Sequence, residues 1–525
     1  MPKNAVLSTM SAATTKTKIS TATFKFIYAF TIRIERNRLK FRYSYDIIVI
    51  DMPNDNPETK SATDKLGEGK ILPLVFKLTI PAVIAQLITF LYNIVDRMFV
   101  AKIDGSGMDA LAALGIVLPI TLILQAFANL VGLGGSPRAS IKLGENDKDE
   151  ANKIFNTSFV MLACIGVILS VTTFFLSKQI VIAFGCPPSA VELAVSYLKI
   201  YSIGTVFVLL AQGLNPFITA QGYSLTAMFS VLIGAIVNIA LDPLFIFVFG
   251  MDVKGASLAT VLSQCISFVW IIAFFFTKKS IFKFKFKNMK PCAKRIAGIL
   301  SLGITPFIMT ITECAIQIVF NINLNGSTGG DKDYTAALTI MLSALQLISL
   351  PLNGLGYGLQ PFVSYNYGKG DTVRLKKGIK YVTIIAFIFA AAVWSVSLAV
   401  PQLYAYVFSA SENVTNIVKA YTPYFLMGSI MFFVQMTLQN VNVALGQSAS
   451  ALILAVLRKV VILIPLCFAL THYIGFKGVY MSEGIADFVA GVITTVVIFV
   501  TFPKVFKKRE QSVKLKNSES EKSDA

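Results

Sequence analysis

Asp242 is the residue whose surroundings most plainly call for chemistry. It lies in an apolar run from about Ser224 to Phe249, with Pro243 directly behind it. Such a run is long enough to cross the ~30 Å hydrocarbon core of a bilayer. An acid there is costly unless it is paired, hydrated or protonated. Asn238 lies four residues earlier, so the two polar side chains share one helix face. Pro243 removes a backbone donor and leaves the helix prone to bend at the acid. A second acid, Asp96, ends the run Tyr92-Asn-Ile-Val-Asp96. Two carboxylates in a low dielectric cannot both ionise freely, so at least one is placed to take up a proton. The same oxygens could instead coordinate sodium. The plainer role for Asp242 is to bond a neighbouring helix, although Ser, Thr or Asn does that at lower cost. Arg97 follows Asp96 on another face of the helix and can snorkel outward.

A second group of polar residues lies in the later part of the chain. Glu313 stands in the seventh apolar run, and Arg458-Lys459 about ten residues into the eleventh. Either could bind substrate or couple ions, and Lys459 could equally snorkel to the membrane surface. Glu483 and Asp487 fall in the outer part of the last run, where they could line its mouth. With Gln435 and Asn215 among the polar residues of the runs, the candidate substrate pathway is Glu313, Arg458, Gln435, Asn215 and Asp487. Met431, Phe432, Phe433 and Met436 could line an adaptable pocket, although such stripes are more often packing or lipid-facing residues. Catalytic and metal chemistry based on histidine is excluded by there being one histidine, His472, near a loop. The six cysteines form no CxxC and have no metal-like spacing. The chain therefore does not read as an enzyme, and it implies no cofactor beyond a coupling ion, H+ or Na+.

The elements that hold these residues are membrane helices. Of 525 residues 55% are hydrophobic and 14% charged, against roughly 25% charged in a soluble protein. The mean hydropathy is +0.68. Twelve spans are predicted: 72–101, 110–137, 154–176, 191–218, 224–249, 255–277, 296–323, 335–360, 378–400, 416–444, 449–471 and 478–501. The formal charge of +19 does not signal nucleic acid, because the basic residues gather in a few loops and at both ends. The stretch 278–295 carries eight Lys/Arg, from Lys278 to Arg295, and no acid. Further basic residues follow span eight (Lys369, Arg374, Lys376, Lys377) and span twelve (Lys504, Lys507, Lys508, Arg509). This asymmetry places both termini in the cytoplasm. Asp96 and Asp242 then lie at comparable depth in the outer half of the membrane. Tyr197 and Thr260 stand just inside the external ends of spans four and six, so Asp96, Asp242, Asn238, Tyr197 and Thr260 can form one site.

Residues 132–147 and 356–371 align at an offset of 224, matching glycines, Pro137/Pro361, Ser140/Ser364 and Asp147/Asp371. At nearly the same offset Pro81 meets Pro306, Gly222 meets Gly446 and Gly255 meets Gly478. These polar and glycine matches are assigned to loops, where hydrophobicity cannot produce them. Six spans per repeat make the halves parallel, related by an axis along the membrane normal. The fold class is all-α integral membrane, twelve helices in two pseudo-symmetric six-helix bundles. The domains are 1–70, a disordered cytoplasmic extension; 71–277, the N-terminal bundle; 278–295, a basic cytoplasmic linker; 296–503, the C-terminal bundle; and 504–525, a cytoplasmic tail. Within the extension the composition changes abruptly at Met52, which reads as the natural start or as the edge of a disordered arm.

The series Ile80-Pro81, Tyr92-Asn93 with Asp96, Gly144 with its charged loop, Ala220-Gln221-Gly222, Asn238 with Asp242-Pro243, Gly255-Ala256 and Ala259-Thr260 resembles the multidrug and toxic compound extrusion (MATE) family, in its bacterial MepA-like branch. The resemblance covers about 71–503. It implies a V-shaped pair of bundles that exports small organic cations and drugs in exchange for protons or sodium, as a monomer in the plasma membrane. It also implies that Asp96, Asp242, Asn238, Tyr197 and Thr260 form the cation-coupling site, and that Pro81, with Pro243, is a point of helix bending. In another branch of the family the coupling acids lie on spans seven and ten. Glu313 could represent the first, but span ten offers only Gln435, Gln439 and Asn440. The second half departs further, since Asn321 stands where Asp96 would be and nothing acidic matches Asp242. Two alternatives remain. A lipid-linked oligosaccharide flippase would line its cavity with more basic residues, and a membrane transferase would cluster catalytic groups at one face.

Overall fold

The computed structural model describes residues 62–103, 107–408 and 410–524. The first half holds α1 (Ile71–Val100), α2 (Gly107–Gly144), α3 (Lys148–Ala183), α4 (Val191–Ala220), α5 (Ser224–Val248) and α6 (Asp252–Phe276). The second holds α7 (Ala293–Thr328), α8 (Lys332–Lys369), α9 (Thr372–Ala399), α10 (412–444), α11 (Ser448–Ile474) and α12 (Phe476–Asp524). Among the described residues all of these except α10 are long and apolar enough to cross a membrane. The span predicted at 416–444 is interrupted by a 3-10 turn at Met427–Met431 and a π turn at Phe433–Leu438. At this interruption Gly428 lies against the Gly484 carbonyl of α12, closer than a side chain would permit.

Several helices outrun their predicted ends. Hydropathy falls off where a helix leaves the apolar layer, but the backbone keeps its hydrogen bonds beyond that point. The repeated glycine motifs assigned to loops therefore lie inside α2 and α8, which run through Pro137 and Pro361. Only their last residues form turns. Asp147 and Asp371 then cap α3 and α9, accepting from the amides of Glu150 and Arg374 at 2.9 Å in each case. The repeat extends to further bonds at the offset of 224. Ser140 Oγ donates to Ala220 O as Ser364 Oγ does to Ala444 O. Asn215 and Gln439 donate to Ala227 O and Ala451 O, both at 3.1 Å. Gly222 and Gly446 turn the chain with φ of 89° and 77°, which β-carbon-bearing residues rarely adopt.

The two halves meet along α2 with α7 and α1 with α8. Small residues allow this approach: Gly303 lies against the Leu130 carbonyl and Gly144 against that of Tyr365. Arg509, on the part of α12 beyond 503, pairs with Glu145 at 2.9 Å. Residues 62–70, predicted as part of a disordered extension, are ordered. Leu66 is fully buried, Thr63 Oγ1 donates to Gln221 O at 3.0 Å, and Asn366 Nδ2 donates to Leu66 O at 3.0 Å. Arg374 also donates to the Glu68 and Gly69 carbonyls at 2.5 and 2.7 Å. Residues 1–61, including the change at Met52, lie outside the described residues.

Candidate functional site

Asp96 sits near the C-terminal end of α1, and Asp242 occupies the same level of α5, where Pro243 precedes a π turn at Leu244–Val248. Pro cannot donate a helical hydrogen bond, so the Ile239 carbonyl, one turn before it in α5, lacks its usual donor. The helix α1, in contrast, runs unbroken through Pro81. Both acids are buried, at 8% and 0% exposure, and their carboxyl groups lie within hydrogen-bonding reach of each other. Asn238 Nδ2 donates to Asp242 Oδ1 at 3.4 Å. Tyr197 reaches Thr260 with its side chain, and Ser257 Oγ fixes the level of α4 on α6 by donating to Tyr197 O at 2.8 Å. The structure thus brings Asp96, Asp242, Asn238, Tyr197 and Thr260 to one end of the first bundle.

Asp96 Oδ1, Asp242 Oδ2 and Asn238 Oδ1 are buried and find no hydrogen-bond donor. Arg97 is exposed, its charge near Asp96 but outside ion-pair distance, and among the described residues neither acid has a salt bridge. Such a set of acceptors is suited to a proton or a small hard cation. Three further residues belong to this region. Tyr92 is half-buried near Asp96, and Tyr201 stacks on Tyr197 with centroids 6.3 Å apart. Gln125 Nε2 donates to the Tyr201 hydroxyl at 3.4 Å. The spacing of Tyr197 and Tyr201, one helical turn apart, was a signal for the second tyrosine; nothing in the sequence pointed to Gln125.

Next to the acid pair is a cavity of about 380 Å³ inside the first bundle. Tyr92 and Asn238 line it on the side of the acids, followed by Gln125, Asn129, Asn215 and Gln264, and Gln360 contributes from α8. Asn215 is held by Ser230 at 2.6 Å. Among the described residues the lining contains amides, hydroxyls and small apolar groups, and neither lysine nor arginine.

The later group of polar residues forms a separate network in the second bundle. Arg458 pairs with Asp487 at 2.7 Å and with Glu483 at 3.7 Å, and its guanidinium lies 5.0 Å from the centroid of Phe432. Lys459 pairs with Glu313 at 2.9 Å, so it does not snorkel. Glu483 and Asp487 are buried at 1% and 0% exposure and do not form a mouth. Gln435 donates to the Asp487 carbonyl at 2.5 Å. Sequence spacing missed this pairing because its partners come from three helices, and a π turn at Leu457–Leu463 aims the two bases.

The MatE family model matches the chain twice, at residues 81–244 and 306–469. The multidrug export protein MepA of Staphylococcus haemolyticus (strain JCSC1435) is 30% identical over 437 residues, which span 82% of this chain and 94% of that protein. MepA of Staphylococcus aureus (strain NCTC 8325) is 27% identical over the same shares of the two chains. The solved outward-facing structure of a multidrug resistance MATE family transporter of the MOP superfamily has the same fold, with a TM-score of 0.79. That match has 22% sequence identity and covers 85% of this chain and 99% of the other.

Proposed function

This chain belongs to the MatE family, and we propose on that premise that it is a secondary active exporter of structurally varied organic compounds, many cationic, driven by an inward flow of protons or sodium. The observation that carries the coupling mechanism is the contact between Asp96 and Asp242, buried and without a basic partner. While both are deprotonated their charges attract a cation. One proton shared between them removes most of that attraction and supplies a donor to their unpartnered oxygens. Proton uptake and substrate release are then two sides of one equilibrium, and the coupling is reciprocal. Asn238 holds Asp242 in place and lines the adjoining cavity, which links the acid pair to the space where a substrate fits. Sodium would use the same oxygens, with Tyr197 and Thr260 completing its shell.

The basic loops favour cytoplasmic termini, which puts the acid pair on the outer side and the Glu145–Arg509 contact on the inner side. The bundles 71–277 and 296–503 are then the two bodies whose rocking alternates access, with 278–295 joining them and 504–525 inside the cell. We assign the working unit as a monomer in the plasma membrane. A flippase for phosphate-linked lipids is disfavoured by a cavity lining without lysine or arginine among the described residues. The test is ethidium export from proteoliposomes under separately imposed proton and sodium gradients. Wild type responds to one or both, and export under neither gradient refutes the proposal.

A further inference from the structure

The ion network of the second bundle is one cation short. It contains three carboxylates, Glu313, Glu483 and Asp487, and two bases, Arg458 and Lys459. With every group ionised it carries a net charge of −1. Lys459 makes its direct ion pair with Glu313 and Arg458 with Glu483 and Asp487, so two bases are shared among three carboxylates. A buried carboxylate without its own counter-charge is unstable by several kcal/mol in a low dielectric. Such a group takes up a proton or a cation instead.

The hydrogen bonds point to the same deficit independently of the charges. Glu483 Oε2, Asp487 Oδ2 and Gln435 Oε1 are all buried and all lack a donor. Gln435 is 2% exposed and its orientation is fixed, because its Nε2 donates to the Asp487 carbonyl. Flipping that amide would set two acceptors face to face. Adding one O–H to either carboxylate removes one of these orphan acceptors and supplies a donor to a second. Among the described residues no three carboxylate, thiol or imidazole groups converge as a metal site requires. A proton is the one cation that also supplies a hydrogen-bond donor.

Access and symmetry complete the case. Glu313 is the open end of the network, its side chain 52% exposed, while Arg458, Lys459, Glu483 and Asp487 are buried. At the repeat offset of 224, Arg458, Asp487 and Gln435 correspond to Gly234, Ser263 and Ala211, which line the cavity of the first bundle. The space left open in one half is filled by charged groups in the other. Other titratable groups on the surrounding helices include Cys314 on α7, Cys467 on α11, Tyr334 on α8, Tyr421 and Tyr424 on α10, and Tyr480 on α12. Being thiols and phenols, they are uncharged around neutral pH and do not supply the missing charge.

We propose that Glu483 and Asp487, held by Arg458 and facing Gln435, form a second proton-binding site, in the C-terminal bundle and separate from Asp96 and Asp242. A proton entering at the open Glu313 end comes to rest on one of the two α12 carboxylates as an O–H bond, and the net charge of the network falls to zero. A role for this proton in transport rests on the reading of the chain as a cation-driven exporter, but binding itself does not.

The test is infrared spectroscopy of purified, reconstituted protein at neutral pH, comparing wild type with Glu483→Gln and with Asp487→Asn. A protonated carboxyl absorbs apart from a carboxylate, so subtracting each variant isolates this site without disturbing Asp96 or Asp242. Loss or displacement of a protonated-carboxyl band in either variant that purifies in monodisperse form supports the proposal, provided it persists in Asp96→Asn/Asp242→Asn protein. The proposal is overturned if wild type shows no such band or if both variants leave it unchanged. It is also overturned if the band disappears with Asp96 and Asp242. Because drug export is not measured, failure of the export proposal would leave this result readable.

Discussion

Asp242→Asn separates a coupling acid from a packing acid. The substitution preserves shape, and its amide oxygen can still accept from Asn238 Nδ2, which now reaches Asp242 Oδ1 at 3.4 Å. Its new NH₂ group faces acceptors that lack donors, Asp96 Oδ1 and Asn238 Oδ1. Each hydrogen bond gained there contributes about 1 kcal/mol, and the repulsion between two adjacent carboxylates is removed. The variant should therefore melt no lower than wild type and reach the membrane in normal amount. Export behaves oppositely. A gradient of one pH unit is worth about 1.4 kcal/mol per proton, enough to sustain about a tenfold substrate gradient at one proton per cycle. Without an acid to release the proton, that ratio should fall to one in proteoliposomes carrying ethidium. Asp96→Asn should behave alike, and the double variant should be little worse than either, since residues acting as a unit are not additive. Full gradient-driven export by well-folded Asp242→Asn would refute the coupling role and turn attention to Glu313.

Three further outcomes are expected. A chain beginning at Met52 should insert and export normally, whereas removal through Gly69 should lower the melting temperature. The second truncation takes away the buried Leu66 and the carbonyls that bind Arg374 and Asn366, which a thermal-shift series would detect. A single cysteine at Lys287 in a cysteine-free background should resist impermeant thiol reagents outside intact cells, and ready labelling would invert the topology. Arg509→Ala should cost about 1 kcal/mol at neutral pH, solvent screening keeping it no larger. Burial pushes the Glu145 carboxyl up, but bonds from Lys142 and Arg509 outweigh it and hold it below the ordinary glutamate value. Its contribution is thus present above that value and lost as the pH falls through the lower folded one, so the difference from wild type should shrink in strong acid to what the Arg509 bonds to the Tyr367 and Gly368 carbonyls contribute.

Hydropathy located every span because apolar length is set by the bilayer, but it could not see the ends, where polar residues continue a helix. It missed the interruption of α10 for a related reason. There Gly428 packs on Gly484, a contact between helices that the local sequence does not display. Asp96 and Asp242 could be placed together because depth along two helices was sufficient to bring them level. The pairing of Arg458 with Asp487 could not, since it depends on rotation about the helix axes, which the π turn at Leu457–Leu463 alters. Likewise, residues 62–70 carry no periodic pattern. Their order comes from carbonyls that Arg374 and Asn366 satisfy from a distant part of the chain.

The repeat and the chemistry occupy different positions, and physical reasons keep them apart. The matched residues are helix caps, turn glycines and side chains that bond one helix end to the next, such as Ser140/Ser364 and Asn215/Gln439. These fix the frame, and any frame of this kind must contain them. The interior is free to diverge once the frame is secure. In the first half it holds a neutral polar cavity with two acids that lack a counter-charge, an arrangement that costs stability and changes with each cation bound. In the second half the corresponding interior is occupied by bases that neutralise all but one of the acids. Two identical interiors would bind and release a cation together. On the proposed coupling, unlike interiors would let one half respond to the cation while the other keeps most of its charge paired, so a single event would alter how the halves fit along α1 with α8 and α2 with α7.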